Sequence, residues 1–325
     1  MNVGGTEKAL LNMISVMSKV KYDIEILMLE KYGGFLNTIP KSVSVRYLDE
    51  YKEIKSIINE PPINVVLRYV KQGKLLNAFV LFILFLISMI NKERTLLFKY
   101  VLRKFPVNGD YDLAVAYAGP MDFISYFVAN KINSKKKIQW IHFDVTKIGF
   151  NKYFASKIYK MFDRIYVVSK EGKNKLDRLL PTLKDKTEVF LNIIVQENIK
   201  KLADEGLGFQ DNFDGIRILT VGRLSKEKGQ DLTIPVLAKL KQEGLNIRWY
   251  CIGEGNERVE YEKAIKKYEV KEDFILLGSN PNPYPFMKQC DIYIQPSRHE
   301  GYCITLAEAK CFCNPIISTN FTWCN

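Results

Sequence analysis

Histidine, cysteine and long apolar runs are scarce in this chain. Its 325 residues include two histidines and six cysteines, all six at or after position 251, and no pair of cysteines has zinc-finger spacing. The most apolar stretch has 16 residues, and no cleavable signal with a basic start and a small-residue exit is visible. These scarcities argue against a zinc module and predict free thiols in a reducing cytosol, hence a cytoplasmic location.

Signatures of nucleic-acid binding are also missing. The sequence has no zinc finger, aromatic RNA-binding signature or basic zipper, so nucleic acid is not expected as a partner. The net charge of +12 is nevertheless uneven: residues 51–200 carry 26 Lys and Arg against 13 Asp and Glu, whereas the remaining residues carry 22 against 23. Such a basic region suits an anionic membrane or a phosphorylated substrate, or it is only a solvated face.

The stretch Leu75–Ile90 is almost entirely apolar, and Lys71, Lys74, Lys92 and Arg94 flank it. As a helix it would be about 24 Å long, which is shorter than the ~30 Å hydrocarbon core of a bilayer. The length argues against a transmembrane span. Two interpretations stay open: a helix buried in a domain, and a helix that lies in the surface of an anionic membrane, on the inner face of the plasma membrane.

The chain is long enough for two domains of ordinary size. Short apolar runs alternate with amphipathic helical patterns, which is typical of parallel α/β layers. Strands are predicted at residues 24–29, 43–48, 113–117, 137–141, 164–168, 216–221, 247–252, 274–277, 291–295 and 315–318. The sequence therefore predicts an α/β protein with two doubly wound Rossmann-like domains, residues 1–190 and residues 191–325.

Both ends of the sequence look shorter than a complete layer. Gly4 and Gly5, followed by the helical pattern Thr6–Ser18, resemble the glycine turn that comes after a first strand, but only three residues precede it. The chain stops seven residues after Ser318, without a helix to close the layer. We therefore expect a chain that lacks its first strand and its C-terminal end.

Two carboxylates, Glu300 and Glu308, stand on either side of a predicted turn from loop to helix. A predicted strand ends shortly before this turn, and the helix is predicted from Thr305 to Cys311. The backbone N–H groups near residues 303–306 would then be free to meet an anion. A diphosphate between a sugar and a ribose matches this arrangement of donors and acceptors.

A second set of polar residues, Gly222 to Gly229, follows the strand predicted at 216–221. Open α/β sheets bind ligands at the carboxyl ends of their strands, and the strand at 291–295 would end at the same edge if both are parallel. Arg223 and Lys228 would then converge on the phosphates. A surface basic loop is the alternative, and the neighbouring carboxylates favour the binding site.

Three separated motifs resemble the retaining nucleotide-sugar glycosyltransferases of family 4, also called group 1 glycosyltransferases. They stand in the family's order at residues 222–229 (Gly-Arg to Lys-Gly), 253–255 (Gly-Glu-Gly) and 300–308 (Glu to Glu). The first half resembles the family's acceptor domain, with its glycine turn at 4–7 and its histidine-bearing strand end at 140–144. The resemblance implies two Rossmann-like domains that face each other across a cleft, the GT-B fold.

The resemblance implies a role for each matching position. Arg223 and Lys228 would neutralise the donor diphosphate. Glu300 would hold a hydroxyl of the donor sugar, and Glu308 would hold the ribose. His142, across the cleft, would contact the donor sugar near the reacting carbon. Backbone contacts to sugar and phosphate would come from Gly5, Gly301, Tyr302, Cys303, Ile304 and Thr305.

The implied activity is transfer of a hexose, with retention, from a nucleotide diphosphate sugar to a lipid-linked or polysaccharide acceptor in cell-surface polysaccharide assembly. The nucleotide sugar is the donor substrate, and no further cofactor is expected. An inactive nucleotide-sugar-binding or partner subunit is the alternative. A nucleotide-sugar epimerase would need acid and base groups near His142, which the sequence does not identify.

The segment Asp110-Tyr111-Asp112 has the form of the metal-binding motif of a different class of glycosyltransferases. It stands where a strand is predicted to begin, so a polar strand entry is the better interpretation. We therefore predict no metal site and no essential divalent metal.

Overall fold

A computed structural model of the chain describes residues 4–119, 121–147 and 149–321. Its helices are α1 (Gly5–Val16), α2 (Tyr51–Asn59), α3 (Pro62–Lys71), α4 (Leu75–Ile90), α5 (Thr95–Val101), α6 (Asp122–Lys131), α7 (Lys152–Ile158), α8 (Lys170–Leu179), α9 (Gln196–Glu205), α10 (Gln230–Gln242), α11 (Arg258–Lys267), α12 (Tyr284–Gln289) and α13 (Ile304–Ala309). Its strands are β1 (Glu25–Met28), β2 (Ser44–Tyr47), β3 (Asn108–Gly119), β4 (Ile132–Ile141), β5 (Arg164–Val167), β6 (Thr187–Val189), β7 (Ile216–Val221), β8 (Ile247–Ile252), β9 (Phe274–Gly278), β10 (Ile292–Gln295) and β11 (Ile316–Ser318).

All ten predicted strands are present, and every strand pairing of the described residues is parallel. β3 and β4 begin several residues earlier than predicted, in polar sequence that lacks the apolar signal of their second halves. β6 is the strand that the prediction omits, because three residues are too few for a period-two pattern to stand out.

Contacts divide the described residues into two compact units. The first unit contains residues 25–31 and 44–191, and the second unit contains residues 4–24, 32–43 and 192–321. α1 belongs to the second unit, where it packs on α13. The boundary predicted between residues 190 and 191 stays a prediction.

The second unit is built on one five-stranded parallel sheet with the order β11-β10-β7-β8-β9. The chain starts in the middle at β7, adds β8 and β9 on one side, and then crosses to the other side for β10 and β11. Alternate residues of the strands point to opposite faces, with Ile218 and Trp249 in one apolar core and Leu219 and Tyr250 in the other. This is the predicted doubly wound layer, buried on both faces.

The first unit contains two parallel sheets, β1-β2 and β3-β4-β5-β6. One large apolar core covers them and includes Ile54, Leu97, Phe154 and Ile165. The Tyr111 hydroxyl of β3 donates a hydrogen bond of 2.7 Å to Glu25 of β1, so the two sheets lie beside each other within the unit. The α/β fold class with parallel sheets is therefore confirmed.

The apolar helix α4 exposes most of its surface. Ala78, Leu81 and Phe85 are its buried residues and form one narrow stripe, of which Leu81 and Phe85 belong to the core of the first unit. The interpretation of α4 as a buried helix therefore holds for this stripe and is wrong for the rest of the helix surface. Across the part of the chain that the structure describes, no helix combines the length and the apolarity that crossing a bilayer requires.

The five described cysteines are free thiols, as predicted. Three of them, Cys251, Cys290 and Cys303, are buried, and burial raises the pKa of each thiol. Cys324 lies outside the described residues.

Candidate functional site

The candidate site lies at the carboxyl ends of two neighbouring strands of the second unit. β7 and β10 pair in parallel, with Ile218 opposite Ile292 and Leu219 opposite Tyr293. The loop after β7 and the loop after β10 therefore leave the sheet at the same edge, as the sequence predicts. This is the point at which the strand order reverses, where open α/β sheets leave a crevice for ligands.

Lys228 and Glu300 form the central contact between these two loops, although 72 residues separate them in sequence. The Lys228 Nζ lies 2.7 Å from each carboxylate oxygen of Glu300. The Glu300 side chain is 6% exposed and that of Lys228 is 25% exposed, so water screens the pair only weakly. The two predicted site residues thus form one ion pair in the structure.

A chain of buried polar groups fixes the position of Glu300. The Ser297 hydroxyl donates to Glu300 at 2.6 Å, and the Gln295 amide donates to Ser297 at 2.8 Å. The hydroxyls of Tyr293 and Thr305 donate to the Gln295 side-chain oxygen at 2.9 and 3.2 Å. Gln295 and Ser297 are not among the predicted site residues, although a glutamine that ends an otherwise apolar strand is a usable signal of such a network.

Arg298 ties the same two loops together on their outer side. Its guanidinium donates to both carboxylate oxygens of Asp231 at 2.7 Å and to the Lys226 carbonyl at 2.7 Å. Its backbone N–H donates to the Glu227 carbonyl at 2.7 Å. This bidentate pair adds geometric restraint where single contacts would leave the loops free to shift.

Gly229 lies where the two loops approach most closely. Its φ of +73° belongs to the left-handed region, and a Cβ added to it would come within 2.1 Å of the Pro296 carbonyl oxygen. A glycine satisfies both requirements because it has no side chain. The final glycine of the 222–229 motif is therefore explained by loop packing.

The Gly-Glu-Gly motif supports the loop that carries Arg223. A Cβ on Gly253 would lie 2.0 Å from the Gly222 oxygen, and one on Gly255 would lie 2.2 Å from the Leu224 oxygen. The backbone of this motif thus packs directly against the backbone of residues 222–224, which leaves no room for a side chain. The Arg223 side chain itself is exposed and forms no ion pair or side-chain hydrogen bond with the described residues.

The loop before α13 offers unused backbone donors. α13 begins at Ile304, one residue before the predicted start. The backbone N–H groups of Gly301, Cys303, Ile304 and Thr305 donate to no backbone carbonyl among residues 4–119, 121–147 and 149–321. Gly5 lies next to the start of α13, since a Cβ on it would be 3.3 Å from the Ile304 side chain. Tyr302 belongs to this loop as well.

Glu308 is 3% exposed and accepts a hydrogen bond of 2.7 Å from the Tyr284 hydroxyl. Burial raises the pKa of its carboxyl, and the nearby positive charge of Lys8 counteracts part of this rise. The Lys8 Nζ lies 4.9 Å from the centre of the Tyr284 ring. Lys8 and Tyr284 are missing from the predicted site residues because no local pattern connects α1 or α12 with Glu308 on α13.

His142 lies in the first unit, directly after β4, and is 6% exposed. Burial lowers its pKa to about 4, and the Tyr117 backbone offsets only part of this effect. Its ring stacks on Trp140 with an interplanar angle of 6°. The imidazole is therefore neutral near pH 7, and its contact with a donor sugar stays a prediction.

The Asp110-Tyr111-Asp112 segment lies within β3, so its interpretation as polar strand sequence is confirmed. Asp112 pairs with Lys135 of the neighbouring β4 at 2.7 Å. Among the residues that the structure describes, no group of three or more histidine, cysteine, aspartate or glutamate side chains is arranged to hold a metal ion.

Comparison with solved structures relates the fold to that of glycosyltransferases. The crystal structure of HepE from Anabaena in complex with UDP and glucose superimposes with a TM-score of 0.61 at 17% sequence identity, covering 98% of this chain and 78% of that one. At this low identity the likeness concerns the fold. The chain therefore has the α/β GT-B fold of these enzymes.

Comparison with curated sequences finds relatives that are themselves glycosyltransferases. An uncharacterized glycosyltransferase of Methanocaldococcus jannaschii is 28% identical over 218 residues, which cover 62% of this chain and 53% of the relative. The N-acetylgalactosamine-N,N'-diacetylbacillosaminyl-diphospho-undecaprenol 4-alpha-N-acetylgalactosaminyltransferase of Campylobacter jejuni is 34% identical over 164 residues, which cover 50% of this chain and 43% of the relative. The chain thus spans about half the length of these relatives.

The family model matches the segment of the chain that contains the candidate site residues of the second unit. Arg223, Lys228, Glu300 and Glu308 all lie within residues 209–324. Those residues match the model of the family described as glycosyl transferases group 1.

Proposed function

We propose that the chain is a retaining glycosyltransferase of family 4, which transfers a hexose from a nucleotide diphosphate sugar to a lipid-linked or glycan acceptor in polysaccharide assembly. The observation that carries the proposal is the Lys228–Glu300 pair, which stands beside the unused N–H groups of the loop before α13. A cation, a carboxylate and backbone donors at one sheet edge suit a diphosphate with a sugar attached to it.

The assigned roles follow from where charge develops in the reaction. Breaking the bond between the anomeric carbon and the diphosphate leaves negative charge on the phosphate oxygens. Lys228 and Arg223 would stabilise that charge, and the N–H groups of Gly301 and Thr305 would add to it. Glu300, held by Ser297, would accept a hydrogen bond from a sugar hydroxyl. Fixed cations can lower such a barrier without a metal ion.

Glu308 would hold the ribose of the donor. One of its oxygens already accepts from Tyr284, and a carboxylate has further lone pairs for ribose hydroxyls. Because burial leaves the carboxylate only 3% exposed, the ribose would have to displace α1 side chains such as Lys8, whose charge acts on Glu308.

The choice of substrates rests on the similar proteins. The Campylobacter jejuni relative is named for a diphospho-undecaprenol acceptor, and HepE was crystallised with UDP and glucose. These names support a lipid-linked acceptor and a nucleotide diphosphate sugar for this chain.

A panel of nucleotides and nucleotide sugars should identify the donor. A bound ligand at 100 times its dissociation constant stabilises a folded protein by about 2.7 kcal/mol, so one donor should raise the melting temperature by several degrees. The same donor should then yield product with a lipid-linked acceptor. Stabilisation without product from any acceptor or from water would favour the inactive binding subunit, and no stabilisation by any nucleotide would contradict both.

Transfer should not depend on a divalent metal ion. We expect the rate to stay within twofold after treatment with a chelator, because cationic side chains take the place of the metal in stabilising the phosphate charge. An Asp110→Asn/Asp112→Asn variant should behave in the same way. A rate that collapses with the chelator and returns with Mn²⁺ would refute this prediction.

A further inference from the structure

The helices α3 and α4 expose an unusual amount of apolar side chain. A helix as apolar as α4 is normally buried on all sides, yet eight of its large side chains are exposed. They are Leu75, Leu76, Phe79, Phe82, Ile83, Leu86, Met89 and Ile90. At about 100° per residue these eight positions fall within one arc of about 140°, whose centre lies about 120° around the helix from that of the buried stripe of α4. They form one continuous apolar face.

α3 adds a second exposed apolar stripe. Ile63, Leu67 and Val70 are 69%, 51% and 44% exposed and recur at helical spacing, while Val65 on the other side is buried. α3 packs on α4 through a turn at Gly73, whose φ is +71°. Burying apolar side chains is favourable, so a whole apolar face left in water is unfavourable unless something covers it.

The charge around this face indicates what covers it. Residues 61–92 contain Arg68, Lys71, Lys74 and Lys92 and no Asp or Glu, and the flanking Glu60 and Glu93 pair with Arg68 and Lys157. Lys71 and Lys74 are exposed at one end of α4, and Lys92 and Arg94 are exposed just beyond the other end. If two copies of the chain met through this face, the exposed Lys and Arg side chains of one copy would lie against those of the other and repel them. Anionic lipid headgroups would instead neutralise these side chains.

We infer that the exposed face of the α3–α4 hairpin docks on a bilayer that contains anionic lipid. The apolar stripe enters the boundary between headgroups and acyl chains, and the cations that flank α4 remain among the headgroups. The helix lies in the membrane surface, because its 16 residues span only about 24 Å. The inference is independent of the glycosyltransferase activity.

Vesicle flotation with the 325-residue chain tests the docking. We expect the chain to float with phosphatidylcholine vesicles that contain phosphatidylglycerol, and to bind vesicles of phosphatidylcholine alone more weakly. The triple variant Leu76→Gln/Phe79→Gln/Phe82→Gln should lose flotation with both and keep its melting temperature, because all three side chains are exposed. Flotation of this variant at the wild-type level would overturn the inference.

The matched control removes equally exposed apolar side chains from the second unit. Leu207, Val236 and Val259 are 79%, 48% and 58% exposed. Their triple replacement by glutamine should leave flotation unchanged. If it abolishes flotation to the same extent as the α4 variant, the binding is general hydrophobic adsorption and the assignment to the hairpin is wrong.

The cations are tested separately. Neutralising Lys71 and Lys74 to glutamine should lower partition onto anionic vesicles about fivefold for each charge and leave binding to neutral vesicles unchanged. The control Lys266→Gln/Lys267→Gln on α11 should have no effect. An absence of vesicle binding, together with a dimer in sedimentation velocity that the Leu76/Phe79/Phe82 variant dissociates, would assign the face to a second copy and overturn the membrane assignment.

Discussion

Replacing Lys228 by alanine should lower the rate of sugar transfer by about 100-fold or more, because a fixed cation directed at the leaving phosphate contributes several kcal/mol to the transition state. The effect should appear mainly in kcat, since the charge on the phosphate oxygens grows as the bond to the sugar breaks. The variant should lose some stability, because the Glu300 carboxylate is 6% exposed and loses its charged partner, but it should stay folded, since the Ser297 hydroxyl still donates to Glu300. Steady-state transfer with the identified donor and a thermal melt measure both quantities.

Lys226→Ala is the matched control for this variant. Lys226 stands two residues earlier in the same loop and its side chain is exposed, while its backbone carbonyl, which accepts from Arg298, is kept by the substitution. Transfer by this variant should stay within a few-fold of the unmodified chain. Equal losses in both variants would mean that the general charge of the loop matters, not the position of Lys228.

Glu300→Ala should be as damaging as Lys228→Ala. It removes the proposed acceptor for a sugar hydroxyl and leaves Lys228 without the partner that orients it at 2.7 Å. Because the two residues act as one unit, the double variant should lose little more than either single variant. Additive losses, or near-normal transfer by either single variant, would refute the paired role.

The sequence predicts the layers of this protein well because strong apolar periods mark them. β7 and β8 have the predicted bounds, and their residues are buried on both sheet faces, which requires unbroken apolar runs. The division of the first unit into two sheets was beyond the sequence, since strand pairing is a long-range property that no local pattern contains. The sequence prediction omits β6, because its three residues are too few to show an alternating apolar pattern.

The candidate site shows the same limit. Arg223, Lys228, Glu300 and Glu308 could be predicted as candidate site residues because they stand in recognisable motifs. The pairing of Lys228 with Glu300 depends on the register of β7 against β10, which motifs do not give. Lys8 lies about 300 residues before Glu308 in sequence, and its charge on that carboxyl follows from the packing of α1 on α13. Sequence motifs therefore identify candidate site residues, whereas contacts between residues that are far apart in sequence become visible only in the folded structure.

The second large effect is expected from Gly229→Ala, in a residue that contacts no substrate in our proposal. A left-handed φ costs an alanine about 1–2 kcal/mol, and a methyl group 2.1 Å from the Pro296 oxygen forces the two loops apart at an additional cost of about 1–3 kcal/mol. The free energy of unfolding should fall by roughly 3 kcal/mol. Transfer should fall by about 100-fold, because a displacement of about 1 Å between Lys228 and Glu300 spoils the geometry at the reacting carbon.

Gly244→Ala separates the two causes. Gly244 also has a left-handed φ, of +83°, but no atom lies within 4 Å of a Cβ placed on it. Urea unfolding should show a loss of about 1–2 kcal/mol for this variant, with unchanged transfer. The difference between the two glycine variants measures the contact with Pro296. Equal losses of stability and equal transfer in both would show that the loops do not need this close approach, and that the glycine is kept for its backbone angle alone.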